Sequence, residues 1–109
     1  MIRHISMFQM ESKPANGKTV AENTQALVEF LNALPAREPS IVGNRVAPYV
    51  GQQPELPEED PVMFHQVVQM IDFAKPEDAA AYPESQAHQS LMVFSQGMVK
   101  KVSAIDFEI

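Results

Sequence analysis

Cysteine and tryptophan are absent from this 109-residue chain, and glycine is scarce, at four residues. Without cysteine there is no disulfide framework, thiolate nucleophile or zinc-thiolate site, so several enzyme classes fall away together. Histidine and carboxylate chemistry remain. Basic residues are also few: eight Lys and Arg against 14 Asp and Glu give a formal net charge of -6. The cations are scattered and form no stripe that would displace counterions from phosphates, so nucleic acid and anionic membranes are not expected partners. No apolar run approaches the roughly 20 residues that cross a bilayer. Met1 to Lys13 alternates polar with apolar residues instead of forming the apolar block of a signal peptide, and the expected location is the cytoplasm.

What is present is ordinary globular composition, 45% hydrophobic and 20% charged. A single domain over residues 1–109 is expected, which at this length buries roughly two thirds of the surface of its unfolded chain. Ile2 to Met10 reads as a strand with Ile2, His4, Ser6, Phe8 and Met10 on one face and Arg3, Ile5, Met7 and Gln9 on the other. Thr19-Val20-Ala21-Glu22 fits a capping box that opens a helix, Leu27, Phe30, Leu31 and Leu34 give it a core stripe, and Pro35 stops it. Ile41 to Ala47 is a second strand, and Met63 to Phe73 a third. Between them, Pro48 to Pro61 holds four prolines and four carboxylates, an acidic loop that cannot sustain a helix or a central strand.

Pro76 starts a short helix that must end near Tyr82, because Pro83 drives the residue before it out of helical geometry. A second helical segment, Glu84 to Gln96, aligns Ala87, Leu91, Phe94 and Met98, with Gly97 as its stop and Val99 to Ile109 as a closing strand. The order β-α-β-β-α-β predicts an α+β, ferredoxin-like subunit: a four-stranded antiparallel sheet with two helices on one face. The other face carries apolar residues, which predicts a homodimer with the sheets facing each other.

His4 and Phe8 on the first strand, Phe73 closing the third, Tyr82 and Ala87-His88 at the helix break, and the terminal Ile105-Asp106-Phe107-Glu108-Ile109 resemble the stress-responsive dimeric α/β-barrel (Dabb) family. The resemblance spans nearly the whole chain; Pro48 to Pro61 falls outside it. It implies a dimeric barrel with a cavity between each sheet and its helices. In the cyclase pattern of that family, a histidine at the position of His88 is the general base, a tyrosine at that of Tyr82 assists it, and a first-strand histidine, here His4, lines the pocket. The chain departs from the usual Pro-Ala-His, since Gln86 stands in place of the proline and Pro83 lies three residues earlier.

The residues themselves leave alternatives open. His88 sits about 100° round the helix from the apolar stripe, where it is either a pocket base or a boundary histidine bonding a carbonyl. Tyr82 either donates to a substrate carbonyl or developing enolate, or packs with one wet end. His4 either points into a cavity or is a satisfied core histidine. His65 shares a face with Val67, Gln69 and Ile71 and is assigned, with His4 and Phe8, to the substrate pocket. No two histidines share close ligand spacing, so no metal or other cofactor is expected. Met63, Met70, Met92 and Met98 are adaptable filler that also suits an apolar or aromatic small molecule. Three functions follow: a small-molecule-binding or stress-responsive barrel without turnover; a cofactor-independent polyketide-cyclase-like enzyme of aldol or Claisen type with His88 as base; and a cofactor-free monooxygenase, which no residue here specifically favours.

Overall fold

In the computed structural model, whose described residues are 1–50 and 65–109, the chain opens with β1 (Ile2–Met10). Helix α1 (Val20–Ala33) then begins at the expected cap. The Thr19 hydroxyl accepts from the Glu22 N–H at 3.1 Å, and the Glu22 carboxylate accepts from the Thr19 N–H at 3.1 Å. Two of the amides that a helix start leaves without partners are thereby satisfied. Pro35 does not end the helical path outright; a 3-10 turn, Leu34–Arg37, follows α1 because proline is tolerated at the start of such a turn.

Strands β2 (Ile41–Pro48) and β3 (Val67–Phe73) lead to α2 (Pro76–Ala81), a 3-10 turn over Tyr82–Glu84, α3 (Gln86–Ser95) and β4 (Val99–Glu108). The expected β-α-β-β-α-β order is observed, with α2 and α3 as two halves of a broken second helix. The third strand starts at Val67, later than Met63, because the chain bends at Gln66; Met63 itself and most of the acidic loop lie outside the described residues. Gly97, at φ +77°, adopts the left-handed conformation that separates α3 from β4.

The strands form one antiparallel sheet in the order β2-β3-β1-β4. Its inner face holds two apolar clusters. One gathers Phe8, Met10, Val67, Leu27, Leu31 and Leu91; the other gathers Ile71, Phe73, Leu34, Ile41, Ala87 and Tyr82. Between them runs a polar band in which Ser6 pairs with Gln69 on one side and Ala104 on the other. Gln69 is buried, and its amide donates to the Asn44 side chain at 3.0 Å, which in turn donates to the Leu31 carbonyl at 3.0 Å. The buried amides are therefore paired, as a low-dielectric interior requires.

The opposite face is apolar and exposed. Ile5, Met7, Val68, Met70 and Ile105 cluster there in register, with Ile105 61% exposed. At one end of it Arg3 forks onto Asp72, with contacts of 2.8 and 3.1 Å, holding the Asp72 carboxyl below its ordinary pKa. Gly43 makes room for this carboxylate, since a Cβ at that position would stand 3.0 Å from Asp72 Oδ2.

The core and the cap make a graded prediction for stability. Leu31 is fully buried, so Leu31→Ala should destabilise the fold by about 3 kcal/mol. Thr19→Ala, which removes one side of the reciprocal cap, should cost about 1 kcal/mol. Urea denaturation midpoints of the two variants, at unchanged slope, check the order.

Candidate functional site

The polar band across the sheet is the floor of a cavity of about 410 Å³, roofed by α3 and the helix break and open beside the edge strand β4. Its size is within the usual range for small-molecule sites, about 300–1,000 Å³. His4, Phe8, Tyr82 and His88 all line it, together with Leu91 and Val102. Four of the residues singled out in the sequence therefore meet in one place.

The fifth does not. His65 is absent from this lining, and its Nε2 lies 3.4 Å from the Ser103 hydroxyl. Ser103 pairs with Met7, on the exposed face of the sheet. The cause is the bend at Gln66, whose side chain turns inward and accepts the Met10 N–H at 2.8 Å. Strand alternation, on which the sequence assignment of His65 rests, does not extend across that bend.

The break between α2 and α3 is held by one serine. Ser85 caps α3: its hydroxyl accepts the His88 N–H at 3.1 Å and donates to the Tyr82 carbonyl at 2.7 Å, while its own N–H donates to the same carbonyl at 3.0 Å. Tyr82 and His88 are thereby fixed relative to each other across Pro83. Their rings meet edge to face at 5.2 Å between centroids, and the Tyr82 ring meets that of His4 likewise at 5.7 Å. Three polar aromatic rings thus form a continuous chain along the cavity wall.

Each ring is tuned by its surroundings. Burial first, and then the nearby His4, push the His88 pKa below its ordinary value, while a hydrogen bond to the Pro83 carbonyl opposes the shift. His88 lines the cavity with the Pro83 carbonyl beside its ring, and a pKa below the ordinary value leaves the imidazole neutral near neutral pH. Tyr82 is 3% exposed, and burial, with a smaller contribution from the Glu38 charge, pushes its pKa up to about 12. Its hydroxyl stays protonated and has no hydrogen-bond partner among the described residues. It is at once a packing residue of the second cluster, with its ring 5.4 Å from that of Phe73, and a donor without an acceptor.

His4 owes its orientation to a residue to which the sequence assigned no role. The Asp106 carboxylate contacts His4 Nδ1 across the β1–β4 pair, where the two residues stand directly opposite. An ionised carboxylate only accepts, so Nδ1 carries the proton and Nε2 is left to accept one. No spacing along the chain announces this pair, because 102 positions separate its members. Among the described residues, no group of three or more His, Asp or Glu is arranged to hold a metal ion.

No family model matches the chain, and no curated protein matches it significantly. Solved structures match it over nearly its whole length. A dimeric protein of unknown function and ferredoxin-like fold from Bacteroides fragilis is 16% identical, with 99% of this chain and 95% of that chain covered and a TM-score of 0.73. A dimeric ferredoxin-like protein of unknown function from Thermobifida fusca is 18% identical, covering 99% and 90%, with a TM-score of 0.71. A hydroxynitrile lyase from Passiflora edulis is 14% identical, covering 99% and 92%, with a TM-score of 0.71. At these identities the likeness establishes the ferredoxin-like fold.

The lowered pKa of His88 has a signed consequence. Its folded-state value lies below the unfolded one, so as pH falls from about 6.5 the unfolded chain binds the proton first and stability declines, levelling off below the folded value. A ¹H–¹⁵N titration of the imidazoles should place His88 below an ordinary histidine. In His4→Gln, which removes the neighbouring imidazole that helps to lower it, the His88 midpoint should rise.

Proposed function

We propose that the protein is a cofactor-independent acid–base enzyme of the Dabb type that abstracts a proton beside a carbonyl group in a largely apolar ligand. The single observation that carries this reading is the chain of three rings, His4, Tyr82 and His88, along one cavity wall. His88, neutral near physiological pH, takes the proton on its imidazole. The Tyr82 hydroxyl, buried and without a partner, donates to the carbonyl oxygen and holds the enolate as charge develops there. His4, fixed by Asp106, accepts or returns a second proton through Nε2. The enolate then attacks a second carbonyl of the same ligand, and the resulting alkoxide takes a proton from a histidine in an aldol-type ring closure or expels an acyl leaving group in a Claisen-type one; in the reverse sense a histidine takes the proton of a β-hydroxy ketone, the C–C bond breaks to a carbonyl and the enolate, and the enolate is reprotonated. A lyase on the same fold supports the latter direction as chemistry this scaffold can host.

Binding without turnover, as in a stress-responsive carrier, is the second reading. Its support is the predominantly apolar lining, with Phe8, Leu91 and Val102 in contact with the cavity. In either case we propose a homodimer joined through the exposed sheet face, since an apolar surface of this kind on a free subunit invites association. The two similar proteins of unknown function are themselves dimeric.

Proton abstraction is tested without knowing the natural substrate. Acetophenone incubated with the protein in D₂O should exchange its methyl hydrogens faster than in buffer, followed by NMR. His88→Gln should lower the enzymatic rate by about 10² or more, and Tyr82→Phe by about 10-fold to 10²-fold. Equal rates for wild type and H88Q would overturn the base assignment, and tight binding of the ketone with no exchange would favour the carrier. For assembly, Ile105→Glu should convert a dimer into monomers in sedimentation equilibrium.

A further inference from the structure

The turn between β1 and α1 carries a chemistry that the cavity does not use. Asn16 is followed by glycine, and both residues are exposed. Gly17 takes φ +74°, and nothing lies within 4 Å of the point where a Cβ would stand, so its backbone is open on that side. The other asparagines are placed differently. Asn23 and Asn32 lie within α1 and Asn44 within β2, where the backbone is held in regular structure.

An asparagine amide beside an unhindered backbone nitrogen sets an electrophile within reach of a nucleophile. The Gly17 nitrogen, on losing its proton to hydroxide, attacks Asn16 Cγ. A C–N bond forms and closes a succinimide ring, the Cγ–Nδ2 bond breaks, and ammonia leaves with a proton taken from water. Water then opens the ring at either carbonyl, giving aspartate or isoaspartate.

The fold also supplies a restraint. Asn16 Nδ2 donates to Asn23 Oδ1 at 2.8 Å, Asn23 Nδ2 donates back to Asn16 Oδ1 at 3.3 Å, and the same oxygen accepts the Lys18 N–H at 3.0 Å. Asn23 is 1% exposed and fixed in α1, its own N–H donating to the Thr19 carbonyl at 3.0 Å. Ring closure swings Cγ toward Gly17 and expels Nδ2, so both contacts with Asn23 must first be given up. The reaction therefore proceeds from a locally opened turn.

We infer that Asn16–Gly17 is a site of self-modification, deamidating through a succinimide to aspartate and isoaspartate, and that Asn23 sets the rate by holding the Asn16 amide closed. Neither product can donate to Asn23 Oδ1 as the amide does, and isoaspartate lengthens the backbone path of the turn. The altered segment is tied to the cavity: the Ala15 N–H donates to the Gly97 carbonyl at 3.4 Å, and Gln96 and Val99 beside that glycine line the cavity wall.

For the test, the full chain is held in mildly alkaline buffer and digested at intervals, and mass spectrometry of the peptides separates asparagine, aspartate and isoaspartate at each position. Conversion should accumulate at Asn16 and not at Asn23, Asn32 or Asn44, and Gly17→Ala, whose methyl group crowds the nitrogen, should all but stop it. Asn23→Ala, which removes two side-chain contacts, should speed conversion about fivefold to tenfold, the equivalent of about 1–1.4 kcal/mol. Asn23→Asp, of the same size but able only to accept, should speed it about twofold to threefold, and stands in should the alanine variant fail to fold. Leu31→Ala weakens the whole fold without touching the amide pair and should leave the rate within about twofold of the wild type. No conversion at Asn16 in the folded wild type, equal rates for the wild type and the Asn23 variants, or an equally large acceleration in L31A would each overturn the inference.

Discussion

The antiparallel pairing of β1 with β4 is the constraint on which the site depends. It sets His4 against Asp106 and Ser6 against Ala104, so one register supplies both the oriented histidine and the floor of the cavity. Side chains alternate with a period of two, and a slip of one residue would carry His4 to the exposed face and bring Ile5 under the helices. The remaining partner, β3, enforces the same choice from the other side, because Phe8 meets Val67 and His4 meets Ile71 within the two apolar clusters. Burial energy therefore holds the polar residues where they are, although none of them contributes to it.

A second constraint acts above the sheet. Contrary to the expectation for a residue before proline, Tyr82 keeps helical angles (φ -56°, ψ -43°); the path breaks at the extended Ser85 (φ -70°, ψ 156°), which restarts it by capping α3. The interruption turns Tyr82 and His88 toward a common space, and the three hydrogen bonds of Ser85 remove the slack that a proline break would leave. The same Tyr82 ring closes the second apolar cluster, so a group that lines the cavity is also part of the core. Its position is consequently insured by packing and not by a loop.

What could be read from the sequence was what local rules determine. The capping box at Thr19, the helix break at Pro83, the left-handed stop at Gly97 and the alternation along β1 each involve residues a few positions apart, and each has its expected structural counterpart. From these the α+β order follows; that His4, Phe8, Tyr82 and His88 belong together was implied by the family resemblance and not by any local rule. What was not legible depends on contacts between distant segments or on a local departure from regularity. The role of Asp106 emerges only when β4 is laid beside β1. His65 lies apart from the cavity lining because the bend at Gln66 breaks the alternation between it and Val67. The acidic stretch between β2 and β3 falls mostly outside the described residues.

The fork of Arg3 on Asp72 has a consequence for the sheet face it borders. A wholly greasy surface adheres to other greasy surfaces in many poses of similar energy, whereas this one carries a fixed pair of charges at one end. Any body laid over that end must strip water from both ions, and only a pose that returns hydrogen bonds to them avoids the loss. Gly43 keeps the anchor in place by leaving its carboxylate the room it needs. The pair thus works as a key bit on an otherwise smooth blade, admitting few alignments and turning promiscuous stickiness into selective contact.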